Sequence, residues 1–192
     1  MKKIFFIFII TAFSLISCNQ SRRIVTEVPI KTEILGIELC KAIHNEDDIN
    51  DALAEHTNKY FFTTPQKDGN VEVFRSIPID FGFNYGGLSW TYVDVAVNSN
   101  SDVYMVKLVG SYESEETAKQ QYESAVAIFS QKYGKGNNVI ENNTFWTDNV
   151  NSVGISHFKY SALNGSDRNF CELYYTNIEL SDKVAAENQP DI

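Results

Sequence analysis

The sequence predicts an α+β fold, an antiparallel β-sheet with helices packed on one face. Three observations carry this. Residues 90–109 hold two alternating, β-branched runs joined by a short polar turn, the pattern of a hairpin. Residues 114–134 hold an apolar stripe at helical spacing with capping residues at both ends. Short aromatic or β-branched runs separated by turn formers recur on either side.

In chain order, Met1-Lys2-Lys3 precede an apolar run from Ile4 to Ile16. That run is shorter than the ~20 residues a membrane-spanning helix needs. A basic start before a short apolar core reads as an export signal over residues 1–17. Leu15-Ile16-Ser17-Cys18 resembles the lipobox of bacterial lipoproteins: an aliphatic residue, a variable residue, a small residue, then Cys. The resemblance implies cleavage before Cys18 and a lipid on its thiol and new amine. Asn19, in place of the Asp that holds such proteins in the inner membrane, implies the outer membrane. No acidic run follows Cys18, which points to the periplasmic leaflet rather than the surface. Residues 18–32 read as a lipid-linked tether.

The chain has 192 residues, of which 43% are hydrophobic and 13% aromatic, so it holds enough apolar material for one packed domain, over 33–180. The formal net charge is −9. Loss of Lys2 and Lys3 with the signal, which holds no acid, makes it −9 − 2 = −11. Such a surface repels phosphate backbones and anionic bilayers, which excludes nucleic acid as an expected partner.

Glu33–Leu39 reads as a first strand. Asn45 caps a helix that starts on Glu46, Asp47 and Asp48 and carries Ile49, Ala52, Leu53 and His56 on one stripe. Residues 60–64 and 71–75 read as strands around a turn at Pro65–Gly69, and 81–87 as a bent strand or irregular loop. In the central hairpin, Trp90, Tyr92, Asp94 and Ala96 are expected on one face, with Thr91, Val93, Val95 and Val97 on the other. The following helix runs from a Ser114 cap to Gly134, with Ala118, Tyr122, Ala125, Val126, Phe129 and Tyr133 as its buried stripe. Strands follow over 144–147, 151–160 and 170–176. The change of apolar face after Ile155 predicts a bulge near His157. Asn164-Gly165 reads as a turn, and residues 181–192 as a flexible tail.

This order gives a helix and a Trp-containing meander twice, over about 33–110 and 111–180. It resembles small secreted lipoproteins of Gram-negative gut bacteria, whose tandem α-β repeats are like the β-lactamase inhibitor protein fold. The landmarks are Leu35-Gly-Ile-Glu-Leu39, Trp90 with Val93-Asp-Val95, and Tyr122 with Phe129 and Lys132-Tyr-Gly134. Cys40 and the extra residues between Tyr60 and Leu88 depart from that pattern. The resemblance brings no catalytic motif with it.

The chain carries none of Gly-x-Ser-x-Gly, a phosphate-binding glycine loop, His-Glu-x-x-His or Cys-x-x-Cys, so neither cofactor nor metal is expected. Asn98-x-Asn100-x-Asp102 has the opening spacing of a calcium loop but Val103 and Val109 where that loop needs Gly and Glu, so it reads as a hairpin turn. Cys40 and Cys171 leave two readings open, a disulfide or two separate buried thiols. Cys40, His44, Asp47 and Asp48 would be needed together for a metal or nucleophile site, and a reduced thiol is unfavourable in an oxidising compartment. His56 and His157 read as structural. Tyr85, Trp90 and Tyr92 are the ligand-contact candidates. The expected function is a lipid-anchored, non-catalytic binding module for an envelope protein. The alternatives are a glycan-binding accessory using the three aromatics, and a small hydrolase using Cys40 and His44.

Overall fold

A computed structural model describes residues 24–138, 141–161 and 167–188. The expected signal segment, Cys18, the expected turn at Asn164-Gly165 and residues 189–192 lie outside the described residues.

The architecture is α+β. A small hairpin, β1 (Glu33–Ile34) and β2 (Ile37–Glu38), precedes helix α1 (Glu46–Thr57). Strands β3 (Phe61–Asp68), β4 (Val71–Pro78), β7 (Tyr92–Val97) and β8 (Val103–Tyr112) follow, interrupted by a second small hairpin, β5 (Phe83–Tyr85) and β6 (Leu88–Trp90). Helix α2 (Glu115–Tyr133) leads to β9 (Asn137–Asn138), β10 (Asn143–Thr147), β11 (Asn151–Ser161) and β12 (Asp167–Asn177). Helix α3 (Ile178–Glu187) follows β12. The eight long-sheet strands lie in the order β3-β4-β7-β8-β12-β11-β10-β9, every neighbour antiparallel. The last strands of the two halves, β8 and β12, therefore pair at the centre.

Local chemistry accounts for the helices. Asn45 and Ser114 lie in extended backbone, and their side chains accept from the N–H groups of Asp48 and Thr117, satisfying donors the helix itself leaves open. Acids fill both first turns, where the macrodipole favours them. Ile49 and Leu53 of α1, and Ala125, Phe129 and Tyr133 of α2, pack against Val93, Val95, Val106, Leu108, Ile155 and Leu173 of the sheet. Trp90 and Trp146 are both 1% exposed within this core. Between Tyr85 and Leu88, Gly86 and Gly87 both have positive φ (63° and 78°), which the two-residue turn of a tight hairpin requires.

The structure departs from the sequence reading at several places, each for a physical reason. Residues 33–39 are not one strand but the β1–β2 hairpin, because the chain turns at Leu35 and Gly36, both at positive φ (55° and 79°). β3 and β4 run longer than expected, and the turn falls at Gly69-Asn70, not at Pro65. Pro65 is tolerated because β3 is an edge strand. Asp68 faces Val71 across a two-residue turn, so even-numbered residues bond to β4 and Pro65 points its missing donor outward. Trp90 does not share a face with Tyr92. It belongs to β6, and the chain bends at Thr91 before the alternation restarts. β11 pairs β12 without a register shift from Asn151 to Ser161, so no bulge lies at His157. Phe158 and Tyr160 simply occupy the strand's other face. The irregularity lies instead at Ala96/Val97 against β8.

The described residues of the expected tether and tail are built into the domain. Thr26 N–H donates to the Thr147 carbonyl, Ile24 N–H to Asn137 Oδ1 and Ile30 N–H to Asp148 Oδ2, and Ile30 is buried. Residues 24–30 thus run along the β9–β10 side of the sheet. The expected tail forms α3, capped by the Asn177 side chain. Leu180 and Val184 of α3 join Val71, Val73, Ala96, Tyr104, Met105 and Tyr174 in a second core on the sheet face opposite α1 and α2. Among the described residues, no helix is long and apolar enough to cross a membrane.

Candidate functional site: the second face of the sheet

The sheet has two apolar faces, and only one is covered by α1 and α2. α3 covers one end of the other. Beyond α3 lies a row of charges. Thr64, Arg75, Asp94, Lys107 and Tyr174 face one another in register on β3, β4, β7, β8 and β12. Arg75 Nε and Nη2 each donate to Asp94 at 2.8 Å, a bidentate pair. Lys107 Nζ lies 3.6 Å from Asp94 Oδ2 and 3.0 Å from Glu172 Oε1. The Arg75 guanidinium also sits 4.5 Å from the centre of the Tyr92 ring, a cation–π contact.

Two cations and two anions thus neutralise one another in a place water barely reaches. Asp94 is 0% exposed and Lys107 7%. Burial opposes the Lys107 charge, yet Glu172 and Asp94 outweigh it and hold its pKa above the ordinary lysine value. Arg75 behaves alike, burial being outweighed by its bond to Asp94. Burial pushes the Tyr92 and Tyr174 hydroxyls up to about 12. Arg75, Lys107, Tyr92 and Tyr174 thus all keep their protons well above neutrality, and the ion pairs fix the four charged side chains in place. Gly154, opposite Tyr174, is required by packing: a Cβ there would run into the Tyr174 ring.

At the free edge this face turns apolar. Thr63 points to α1, where its hydroxyl bonds Asn50 Oδ1. Its neighbour Phe62 therefore points away from the helices, beside its partner Ile77. The next pair out, Tyr60 and Ile79, is joined by Ile79 N–H to Tyr60 O at 3.0 Å. Tyr60 is 80%, Phe62 65%, Ile77 41% and Ile79 68% exposed. Phe81, 93% exposed, follows.

The residues singled out from sequence do not converge. Trp90 is in the main core, its Nε1 donating to the Tyr85 carbonyl, so its ring offers no ligand surface. Tyr85 is half-buried on the helix side, with its hydroxyl 3.4 Å from that of Tyr175. Of the three, Tyr92 alone belongs to the second face. Cys40 and Cys171 are both free. Cys40 N–H bonds the carbonyl of Val103 at the start of β8, and Cys171 pairs with Gly110 near its other end. That span is about 20 Å at the usual rise per residue, against the ~7 Å limit between bridged Cα atoms.

Cys40 and His44 are both exposed, and His56 is exposed rather than half-buried. Among the described residues no group of three His, Cys, Asp or Glu side chains could hold a metal ion. The expected calcium-like loop is a tight turn, with Asn98 Oδ1 accepting from the N–H groups of Asn100 and Asp102. A different Cys–His pair does exist: His157 and Cys171 are cross-strand partners. Burial pushes the Cys171 thiol up to about 12, the reverse of what a nucleophile needs.

The charge row escaped sequence reasoning, although a signal was present. Asp94 and Lys107 each interrupt an apolar run, at positions that face each other once the hairpin closes. Arg75 and Glu172 come from distant strands, and no local pattern links them.

No protein-family model, curated protein or solved structure matches this chain.

Proposed function

We propose that this protein is a lipid-anchored, non-catalytic binding module of the cell envelope that acts through the second face of its sheet. The observation that carries the proposal is the exposed apolar block of Tyr60, Phe62, Ile77 and Ile79 beside a buried, neutralised charge row. Single exposed apolar side chains are ordinary. A contiguous block of them, on a face stiffened by antiparallel strands, suits contact with another protein. The export segment and Cys18 supply the anchor, which raises the effective concentration of partners at the outer membrane. The strand order, with β8 and β12 central, supports reading the two halves as tandem helix-plus-meander repeats like those of the β-lactamase inhibitor protein fold.

The glycan reading loses support because Tyr85, Trp90 and Tyr92 line no common groove. The hydrolase reading loses support because Cys40 and His44 stand exposed on a loop, and burial together with the charges of Asp102, Glu179 and Glu38 raises the Cys40 thiol pKa, the reverse of what a nucleophile needs. The test is capture from envelope extract by the full chain in detergent, run beside a glycan array. Protein capture lost in Phe62→Asp is expected. Glycan binding lost in Tyr85→Ala, with no protein retained, would overturn the proposal. The anchor is checked by intact mass of membrane-extracted protein. A diacylated, N-acylated species beginning at Cys18 is expected, and a lipid-free species cut elsewhere would refute that part.

A further inference from the structure

We infer that the apolar block at the β3 edge is a self-association surface, and that its occupant is the same block on a second copy of this chain. The inference rests on the protein-binding reading above and names the partner. Three features lead to it.

The first is area. Tyr60, Phe62 and Phe81 are 80%, 65% and 93% exposed, and Ile77 and Ile79 41% and 68%. With about 150–250 Å² per aromatic side chain, the four paired residues expose on the order of 400 Å². A standard interface takes about 800 Å² from each partner, so the block supplies the apolar centre of a two-fold dimer and its polar rim the remainder. An uncovered apolar patch of this size is within the range that marks a functional surface.

The second is charge. The chain carries a net −9, so two copies repel each other wherever acidic surface meets acidic surface. The four paired side chains of the block are uncharged. The charges beside them are opposite, Lys59 and Asp80, which bond each other at 2.7 Å within one copy. A two-fold contact through the block therefore brings uncharged side chains together, with one cation and one anion of each copy at its rim, which adds no net repulsion there.

The third is the edge itself. Pro65 and Lys67 guard the second half of β3 against strand pairing, since one lacks a donor and the other carries a charge. The first half, Phe61–Thr63, has no such guard, and it is the half that carries the block. Guarding only part of an edge is what a strand with one intended contact requires.

The experiment uses the full chain in detergent, with Cys40→Ser to remove the exposed thiol. Ile79→Cys in that background is oxidised, with Val150→Cys, 61% exposed at the β10–β11 turn, as the control. Ile79→Cys should yield a species of twice the mass and Val150→Cys should not. Sedimentation of the unmodified chain should show a dimer that Phe62→Asp converts to a monomer, with an unchanged circular-dichroism spectrum. A single monomeric species at every concentration up to about 100 μM would overturn the inference. So would a dimer that persists in Phe62→Asp. If the chain is monomeric but still captures a different envelope protein through Phe62, self-association fails and the protein-binding reading stands. If the chain neither dimerises nor retains any protein, both fail.

Discussion

Asp94 carries the largest stake of any single side chain on the second face. Its two oxygens hold Arg75 in a bidentate pair and approach Lys107, and it is 0% exposed. Removing it leaves buried Lys107 with Glu172 alone and takes from half-buried Arg75 its bidentate partner. Asp94→Ala should therefore cost about 3–5 kcal/mol in urea unfolding, the usual loss when one member of a buried ion pair is deleted. A loss below about 1 kcal/mol would show that the row is not coupled. Gly154→Ala should cost ~1–3 kcal/mol by forcing the Tyr174 ring from its place. The two thiols should separate cleanly under native alkylation at pH 8. Exposed Cys40 should be labelled, and Cys171, buried and held protonated with a pKa pushed up to about 12, should be labelled only on unfolding.

At the scale of elements, α2 is fixed by its own sequence and α3 by its neighbours. The α2 stripe, cap and last-turn Lys132 were all readable, because an amphipathic helix of 19 residues repeats its signal several times. Phe129→Ala should cost ~3–5 kcal/mol, since the ring meets Tyr133, Trp146 and Tyr175 in the core. The 10 residues of α3 are fewer than three turns, so their apolar spacing repeats too few times to announce a helix. Leu180 and Val184 gain their burial from Tyr104, Met105 and Tyr174, which the chain order does not place beside them. Val184→Asp should loosen α3 and uncover that second core, read as faster amide exchange in α3 while α2 keeps its protection. Equal loss in both helices would contradict this packing.

For the whole molecule, pH links the second face to stability. Burial holds the Tyr92, Tyr104 and Tyr174 hydroxyls at about 12, above the ~10 of the unfolded chain. A raised pKa means the folded state keeps its proton when the unfolded chain has lost it. The stability these tyrosines contribute is therefore complete below about pH 10 and falls as pH rises toward 12. Each contributes a slope of up to about 1.4 kcal/mol per pH unit in that window. Alkaline unfolding followed by tyrosinate absorbance should show their ionisation coinciding with loss of structure. Ionisation well below pH 11 in the folded state would show that the second face is open to water.

The sequence by itself determined the fold class, the central hairpin, both long helices with their caps and most strands. These signals are local: alternation, helical spacing and a cap each lie within a few turns or one strand pair. Even the turn at Asn98–Asp102 is set by side-chain bonds inside five residues. Tertiary structure alone decided which aromatics reach the surface, because the bend at Thr91 sends Trp90 into the core and leaves Tyr92 on the other face. It alone kept Cys40 and Cys171 apart, since they meet β8 near opposite ends. It alone assembled Arg75, Asp94, Lys107 and Glu172, whose four strands become neighbours only when the two halves pair through β8 and β12. Period and propensity act within one stretch of chain. The second face is built from register between strands far apart in sequence, which no single stretch encodes.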